Sequence, residues 1–285
     1  MVAVLTRNKF VQTEIAQYLT GYLSKELGTK VSVKAVEIDF LRNYHLEDLL
    51  ILDKHNDTIF YAKTFNANMA HFSLRKRKID LKDIELNKMA IHIGIYKNEK
   101  VVNYQFIEDY FKSSDTTSES APWNINIKNI QLVDANFTQF DFRPKDFKNI
   151  SGEYNNNYLA IRNINGQIPE WFIDKKGGNH FQLKNLTATE RSGVRIESLS
   201  ADCIIDDTQI TLNKMRLELP NSVIGPKFSM TFKDFTAMDK PFTDVIYSLK
   251  LRNSKICLSD ISAFAPWLKN RNFVLDVNAD IKGPL

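Results

Sequence analysis

The chain has 285 residues, of which 43% are hydrophobic and 25% are charged. This composition is close to that of an average globular protein and excludes a fully disordered chain. The formal net charge of +4, from 38 basic and 34 acidic side chains, is too small to indicate nucleic-acid binding.

The apolar residues form no long uninterrupted run. The mean hydropathy is −0.31, and nothing approaches the roughly 18 consecutive apolar residues of a membrane-spanning helix. The sequence as given is therefore not predicted to be an integral membrane protein. The 10 glycines and 8 prolines argue against collagen-like chains and glycine-rich nucleotide folds.

The first residues resemble the end of a membrane anchor. Residues 1–6 are largely apolar and are followed by Arg7 and Lys9. A signal peptide carries its positive charges before the apolar part, so this order does not fit one. We interpret residues 1–6 as the remnant of a transmembrane anchor. Residues 277–285 read as a strand without a closing element, so we expect a fragment of a longer protein.

Residues 7–28 are predicted to form an amphipathic helix. Its apolar side chains recur at gaps of three and four residues, which places them on one stripe. Gly28 stands where a left-handed helix C-cap belongs. The stripe consists of Phe10, Val11, Ile15, Tyr18, Leu19, Tyr22 and Leu23.

From Thr29 onward the apolar period becomes two, which is typical of strands with one buried face. Val31 and Val33 share one parity while Val36 and Ile38 have the other, so we predict a bulge near Ala35. Longer alternating strands are predicted at residues 59–74, 123–128, 245–251 and 273–281.

A four-residue pattern recurs along these strands. It consists of an apolar residue, Lys, Asn or Asp, and a second apolar residue. The apolar parity shifts across each copy, which predicts a bulged or bent strand. The copies are Leu81–Ile84, Ile127–Ile130, Phe147–Ile150 and Leu183–Leu186. Their irregular spacing excludes a solenoid of fixed period.

Several segments depart from the strand pattern. Residues 103–111 indicate a short helix, and residues 112–122 a polar mobile loop. Residues 259–268 begin with a good N-cap and indicate a helix of one or two turns. The basic cluster Arg75–Lys78 is interpreted as a solvated turn, with a contact to a membrane surface or a partner as the alternative.

No motif for catalysis, a metal or a cofactor is found in the sequence, so we predict that the protein is not an enzyme. The five histidines lack the spacing of a metal site; they are His45, His55, His71, His92 and His180. Cys203 and Cys257 lack zinc-site spacing and are interpreted as buried free thiols, although a single disulfide is allowed in an oxidising compartment.

The fold class is therefore mainly β, with a long antiparallel sheet whose apolar face must be covered. A two-sheet sandwich satisfies this requirement. A curved, open sheet whose inner face binds something apolar satisfies it equally well, and composition does not choose between them.

The order of elements resembles the start of TamB-like, AsmA-family proteins, especially forms from Bacteroidota-type bacteria. The resemblance lies in the helix ending at Leu27-Gly28, a strand at residues 31–40, a strand at residues 46–53, the turn Asp57-Thr58 and a strand reaching Ala62. Residues 123–134 and 258–283 also look like the family. The match is best over residues 10–70, and it rests on the order of elements rather than on any single motif.

This resemblance implies a periplasmic protein anchored in the bacterial inner membrane. It implies an elongated, curved antiparallel β-groove over residues 29–285 that conducts phospholipid between the inner and outer membranes. The family is also associated with a translocation and assembly module, in which a TamA-like outer-membrane barrel is the partner. The C-terminal region that meets that barrel is absent from this sequence.

A groove of this kind needs apolar strand residues and no directional polar site. Sliding acyl chains out of water is worth about 0.8 kcal/mol per CH₂. The candidate lining residues are Val33, Ile38, Ile125, Ile127, Leu249, Leu251, Leu275 and Val277. Simple core packing is the alternative for each of them. The helix is expected to cap the groove or to lie on the membrane surface.

A second hypothesis keeps the same sheet but gives it another role. Open sheet edges pair with client strands, so the protein would act as a scaffold or chaperone in outer-membrane protein assembly.

Overall fold

The computed structural model describes residues 8–39, 43–73, 78–113, 124–144, 152–173 and 178–284, and these form a mainly β protein. The two α-helices are α1 (Lys9–Leu27) and α2 (Gln105–Ser113). The strands are β1 (Val31–Ser32), β2 (Ala35–Ile38), β3 (Asn43–Leu52), β4 (Thr58–Ser73), β5 (Lys78–Asn87), β6 (Ala90–Ile95), β7 (Asn124–Asp141), β8 (Tyr158–Ile173), β9 (Asn179–Glu190), β10 (Arg195–Asp206), β11 (Gln209–Leu219), β12 (Ser222–Ile224), β13 (Pro226–Thr231), β14 (Ile246–Cys257) and β15 (Val274–Gly283).

The predicted N-terminal helix is present as α1, and both of its ends are capped. The Asn8 side chain accepts a hydrogen bond from the Phe10 amide at 2.9 Å. Gly28 ends the helix in the left-handed conformation with φ 60°, as its position predicted. The Lys54 ammonium donates to the Leu27 carbonyl oxygen, where a cation complements the negative end of the helix dipole.

Two of the irregular segments differ from their predictions. Lys112 and Ser113 belong to the end of α2 and not to the loop predicted at 112–122. The helix of one or two turns predicted at residues 259–268 is replaced by two separate short 3-10 turns, Leu258–Ile261 and Pro266–Leu268. Pro266 opens the second turn because a proline cannot continue a helix from the preceding residues but fits at a first helical position.

Several predicted features lie partly or wholly outside the described residues. Among them are the anchor remnant at 1–6, the rest of the loop at 114–122 and the third copy of the repeated pattern at 147–150. Of the basic cluster only Lys78 is described, and its ammonium lies 3.0 Å from the Asp80 carboxylate. No helix in the described ranges has the length and apolar character needed to cross a membrane.

All fifteen strands are hydrogen-bonded into one sheet. Its main order is β1-β3-β4-β5-β7-β8-β9-β10-β11-β12-β14-β13, with β2 beside β3, β6 between β4 and β7, and β15 beside β14. The residue registers are antiparallel for the consecutive hairpins and for β14 with β15. The pair β6 and β7 is parallel, which the prediction of an antiparallel sheet did not include.

The chain divides into two compact units. Unit one contains residues 1–125, 130–150 and 155–164. Unit two contains residues 126–129, 151–154 and 165–285. Each unit is described by itself below.

The repeated pattern marks strand bulges. In the three described copies the third residue has a left-handed backbone: Asp83 has φ 51°, Asn129 φ 55° and Asn185 φ 50°. The strand register shifts beside Asp83 and beside Asn185, which confirms the predicted bulges there. Asn and Asp occupy these positions because their short polar side chains tolerate the left-handed region better than other residues do.

The same conformation occurs within strands at five more residues, with φ between 47° and 53°. These are Asp48, Asp134, Asn163, Lys214 and Asn253. The residue that follows is often buried, as for Ala135, Ile164, Met215 and Ser254. The extra residue thus restores the next side chain to the covered face of the strand.

The first strand of the sheet is interrupted close to the bulge predicted at Ala35. Val33 and Lys34 separate β1 from β2, and Val31, Val33 and Val36 are all buried although their spacing changes from two to three. The shift in parity read from the sequence therefore corresponds to a real break in the strand.

Candidate functional site

Unit two carries a row of apolar side chains that crosses six strands on one side of its sheet. The register pairs Phe181 with Cys203 and Cys203 with Leu212. It continues through Phe228 and Leu249. Directly paired residues of antiparallel strands project to the same face, so these side chains adjoin one another. We call this row the unit-two apolar face: Phe181, Cys203, Leu212, Phe228, Leu249 and Ile281.

The unit-two apolar face is packed at its centre and partly open elsewhere. Cys203 forms a buried cluster with Ala201 and Met215, and half-buried hydrophobic side chains pack around them. Those neighbours are Phe181, Leu183, Leu199, Leu212, Ile224, Phe228 and Leu249. Ile281, at the outer strand of the row, is 56% exposed. The half-buried residues of the face therefore leave part of their apolar side chains exposed.

The opposite side of the same strands is mainly polar, although Ile204 and Ile246 also lie on it. One of its rows joins Thr211, Ser229, Ser248 and Lys282. Another joins Gln182, Asp202 and Asn213, with the Lys214 ammonium 2.9 Å from the Asp202 carboxylate. The sheet of unit two thus has one apolar and one polar side, as the period-two pattern of its sequence predicts.

A loop covers one end of the unit-two apolar face. A 3-10 turn at Phe235–Asp239 belongs to this loop, and Phe232, Ala237 and Val245 form a buried cluster around it. Ile210, Met230, Met238 and Tyr247 pack against that cluster. In the described part of unit two the regular elements outside the sheet are short 3-10 turns, so helices do not cover the rest of the face.

Unit one has a shorter row of the same kind. Val36 pairs with Leu46, Leu46 with Phe65, and Phe65 with Leu86 across β2, β3, β4 and β5. The adjacent row on the other side of these strands is Ala35, Glu47, Thr64 and Asn87. Val36 is buried, whereas Leu46, Phe65 and Leu86 are half-buried.

The structure places the four lining candidates of β14 and β15 on a single face. Leu249 pairs with Ile281, Leu251 with Ala279, and Val277 and Leu275 lie opposite Ser254 and Ile256. The bulge at Asn253 adds one residue to β14. Leu251 and Ser254 therefore lie on the same face, opposite Ala279 and Val277 of β15. Leu251 is 1% exposed and belongs to the core, whereas Leu275 is 48% exposed.

The remaining candidates lie in β2 and β7 or beside β1. Val33 is 5% exposed and is packed in the core of unit one. Ile38 is half-buried and shares a row with Tyr44 and Ala67. Ile127 is half-buried in β7, and the Ile125 side chain lies outside the described part of the structure.

Five of the seven side chains in the apolar stripe of α1 are exposed. Phe10, Tyr18 and Tyr22 are 71%, 77% and 53% exposed. Ile15 and Leu19 are also exposed, whereas Val11 and Leu23 are half-buried. Among the residues of α1 only Leu27 is buried.

Asp53, in the turn between β3 and β4, has a carboxylate that accepts four hydrogen bonds. It is 1% exposed. It accepts hydrogen bonds from the Tyr96 hydroxyl at 2.6 Å, the Asn103 amide at 3.2 Å and the backbone amides of His55 and Asp57 at 2.8 and 2.9 Å. Burial alone would raise the pKa of Asp53, but these hydrogen bonds outweigh it and lower the pKa. Asp53 is thus a satisfied structural anchor of the turn.

The histidines do not gather into a site in the described structure. His55 contacts Glu99 at 2.6 Å, and this hydrogen bond raises the pKa of the imidazole. Burial lowers the pKa of His92. His45 contacts the Asn66 side chain, His71 lies in β4, and His180 stacks on Phe172. Groups of three or more metal-binding side chains are not found among the described residues.

Both cysteines are buried free thiols, as the sequence analysis favoured over a disulfide. Cys203 belongs to the unit-two apolar face, where burial raises its pKa to about 12. A thiol with so high a pKa carries almost no thiolate at neutral pH and is unreactive.

The sequence analysis did not name the middle of the unit-two apolar face. The sequence shows apolar residues at every second position in two of the strands concerned, at Phe181 and Leu183 and at Ile210 and Leu212. The same period-two criterion that identified β14 and β15 would have found them. Comparison with known proteins adds no identification: no family model matches the chain, and neither does any curated protein.

Proposed function

We propose that this chain binds phospholipid acyl chains along the apolar faces of its sheet. In this proposal it is the N-terminal periplasmic segment of a TamB-like, AsmA-family protein anchored in the bacterial inner membrane. It would conduct lipid along an elongated, curved β-groove between the inner and outer membranes. The observation that carries the proposal is the unit-two apolar face. This row crosses six strands, ranges from buried Cys203 to exposed Ile281, and is backed by a mainly polar side.

The chemistry of that face suits an acyl chain. It offers aliphatic and aromatic surface, and each CH₂ moved out of water contributes about 0.8 kcal/mol. An acyl chain needs no hydrogen-bond partner, and Cys203 at the centre of the row is an uncharged thiol. A sheet face lined in this way lets a lipid shift along it because no single contact fixes its position.

The outward stripe of α1 supports a place beside the membrane. Tyrosine combines an apolar ring with a polar hydroxyl and suits the boundary between lipid and water. Tyr18 and Tyr22 flank Ile15 and Leu19 on this exposed side. In the proposal this stripe lies on the outer surface of the inner membrane.

The lipid proposal is tested by site-specific photo-crosslinking in the full chain. A benzophenone side chain replaces Leu249 in one variant and the adjacent Ser248 in the matched control. These residues share β14 but project to opposite sides of the sheet. After incubation with phospholipid vesicles, we expect lipid adducts at position 249 and at least fivefold fewer at position 248. Equal labelling at both positions, or none at either, would contradict the proposal.

A second candidate function is pairing with client strands during outer-membrane protein assembly. It is favoured by β15, which pairs with β14 and with no other strand in the described structure. Val274, Leu275 and Ile281 on this strand are exposed. Such an edge offers backbone hydrogen bonds to an extended peptide.

Hydrogen exchange separates this candidate from lipid binding. A peptide from an outer-membrane β-strand would slow exchange in residues 274–283 if it pairs there. Phospholipid without peptide would not protect the edge amides. If high concentrations of the peptide do not slow amide exchange in residues 274–283, the scaffold function at this edge is excluded.

A further inference from the structure

The loop between β14 and β15, residues 258–273, presents large aromatic side chains to solvent. Phe264, Trp267 and Phe273 are 62%, 78% and 64% exposed. The ring of Tyr154, which is also exposed, lies 4.8 Å from that of Phe264. We call residues 258–273 the aromatic loop. Covering side chains of this size is favourable in water, so their concentration on one loop indicates a surface that binds a partner.

The aromatic loop is folded, so it holds these side chains outward in a defined conformation. Its two ends are joined by a hydrogen bond of 3.0 Å from the Leu258 amide to the Phe273 carbonyl oxygen. Ala263 and Leu268 are buried, and the Ala263 carbonyl oxygen accepts from the Tyr154 amide at 3.0 Å. The exposed rings therefore stand on a fixed base and lose little conformational freedom when a partner covers them.

Backbone hydrogen bonds of the aromatic loop are made largely within the loop. The amides of Phe264, Leu268, Lys269 and Arg271 donate to carbonyl oxygens three residues earlier, at 2.8–3.1 Å, and Pro266 has no amide hydrogen. Paired backbone groups lower the cost of entering the boundary of a lipid bilayer. The same pairing removes these amides from strand addition by an extended peptide. Both effects favour a lipid surface as the partner.

The exposed charges beside the aromatic side chains are basic. Lys269 and Arg271 are exposed, and the sequence has no acidic residue between Asp260 and Asp276. The Asp260 carboxylate accepts a hydrogen bond from the Ser222 hydroxyl at 2.7 Å, which ties it to the neighbouring turn. The charge of the loop therefore complements an anionic surface.

A second loop of unit two provides a comparison. Phe235 and Phe242 are exposed in residues 233–244, but this segment contains two lysines and three aspartates. Its aromatic side chains thus accompany a net negative charge, which anionic lipid repels. Exposure is similar in the two loops, and the sign of the charge distinguishes them.

We propose that the aromatic loop is a membrane-surface anchor that inserts Phe264, Trp267 and Phe273 into the headgroup region of a bilayer containing anionic phospholipid. Tryptophan suits this region because its ring is apolar while its N–H still finds an acceptor. Lys269 and Arg271 would lie at the level of the lipid phosphates, where their attraction adds to apolar burial. The inference does not depend on the proposed function, because a chain that bound no lipid along its sheet would still dock through this loop.

The test places a fluorescent reporter beside the aromatic loop of the full chain. Asn272→Cys carries an environment-sensitive fluorophore, and Asp207→Cys, at the exposed turn between β10 and β11, carries it in the matched control. Cys203 and Cys257 are buried, so labelling is directed to the introduced thiols. Both labelled chains are titrated with vesicles of phosphatidylcholine alone and of phosphatidylcholine containing one third phosphatidylglycerol.

We expect the emission of the reporter at position 272 to move to shorter wavelength on the anionic vesicles, and that of the reporter at position 207 to stay unchanged. Loss of lipid binding at the sheet faces would leave this shift in place. The photo-crosslinking test at Leu249 and the reporter test can therefore fail separately.

Variants made with the reporter at position 272 separate the aromatic and basic contributions. Trp267→Ser should reduce the shift by more than half, whereas Phe242→Ser in the comparison loop should leave it unchanged. Lys269→Gln combined with Arg271→Gln should raise the concentration of anionic vesicles needed for half of the shift at least threefold. All of these side chains are exposed, and circular dichroism checks that the variants are folded.

Four outcomes would overturn the proposal. No shift at position 272 would show that the loop stays in water, and equal shifts at positions 272 and 207 would show adsorption without a preferred surface. An undiminished shift in the Trp267→Ser variant would show that the aromatic side chain does not insert. A shift that grows with protein concentration in the absence of vesicles would show that a second copy of the chain covers the loop instead of lipid.

Discussion

At the scale of single residues, the left-handed positions within strands determine where apolar side chains can face. An L-residue with a bulky side chain costs about 1–2 kcal/mol in this conformation, whereas Asn and Asp visit it more readily. Seven of the eight positions described above carry Asn or Asp, and Lys214 is the exception. The left-handed backbone therefore favours Asn or Asp at these positions, even where the side chain is exposed to solvent.

Asn185 provides a direct test of this effect. Its backbone amide donates to Ser200 Oγ at 3.0 Å, and its φ is 50°. We expect Asn185→Val to lower the free energy of unfolding by about 2 kcal/mol, because a β-branched residue is strained there. Asn185→Gly should change it by less than about 1 kcal/mol. Urea unfolding measures both changes, and the neighbouring exposed Lys184→Val serves as the control. Equal effects of the two valine variants would contradict the prediction.

The lowered pKa of Asp53 leads us to expect that the stability of the protein depends on pH. Its pKa is lowered in the folded protein, so its contribution is complete above the ordinary carboxyl pKa of about 3.9 and is lost as the pH falls through the folded value. Urea unfolding at pH 6 and at pH 3 should therefore show a smaller loss of stability on acidification for Asp53→Asn than for the parent. Asp53→Asn should also cost about 2 kcal/mol at pH 6, because its amide cannot accept all four hydrogen bonds.

The exposed Asp207→Asn is the control for this experiment. It should leave the acid sensitivity of the parent chain unchanged. If Asp53→Asn and the parent lost the same stability between pH 6 and pH 3, Asp53 would not be the linked group.

At the scale of elements, the sequence predicted those features that depend on local periodicity. Gly28 located the end of α1, the alternation from Ile59 predicted β4, and the Lys-Asn pairs located bulges. The pattern did not reveal which side of α1 faces the strands. An apolar stripe ordinarily packs inward, but here Gln12 and Thr13 bind a strand edge that becomes adjacent only in the folded chain.

Residues 259–268 show a second limit of local reasoning. Ser259 is a good N-cap in the sequence, yet the segment forms 3-10 turns. In the fold the Asp260 carboxylate accepts from the Ser222 hydroxyl at 2.7 Å and from the Asn221 amide at 2.8 Å. These partners are about forty residues away in the chain, so no local pattern could have predicted their effect.

The two sides of β13 give a prediction for lipid binding. Phe228 belongs to the unit-two apolar face, and the adjacent Ser229 belongs to the polar side. We expect Phe228→Glu to reduce phospholipid co-purifying with the chain by more than half, because a charge there would be desolvated by an acyl chain. Ser229→Glu should leave the amount unchanged. Lipid is quantified by mass spectrometry after both variants are shown by circular dichroism to be folded; equal lipid in both would contradict the prediction.

At the scale of the whole molecule, the balance of charge separates two modes of membrane association. The 38 basic and 34 acidic side chains leave a formal net charge of only +4. Attraction of a strongly basic protein to anionic lipid is screened by salt, whereas burial of apolar surface is not. If the chain associates with a membrane as we propose, apolar contact through α1 and the sheet faces is therefore the mode we expect.

This expectation is measured by vesicle flotation at increasing ionic strength. Between 50 mM and 500 mM NaCl, we expect the fraction of chain bound to phosphatidylcholine vesicles to change by less than twofold. Tyr18→Gln combined with Tyr22→Gln should reduce that fraction at every salt concentration. A steep decrease with salt in the parent chain would show that electrostatic attraction dominates instead.

The bulged strands also have a consequence for how the length of this protein can change. Removing one residue from a regular strand turns every later side chain to the wrong face. At Asn185 the opposite holds, because Leu183 to Leu186 spans three steps while the paired Ala201 to Leu199 spans two. Loss of Asn185 would equalise the two strands and leave Leu183 and Leu186 on the same face. Lys214 and Asn253 occupy equivalent positions in β11 and β14. Single-residue deletions should therefore be accepted at these points and rejected in the regular parts of the strands.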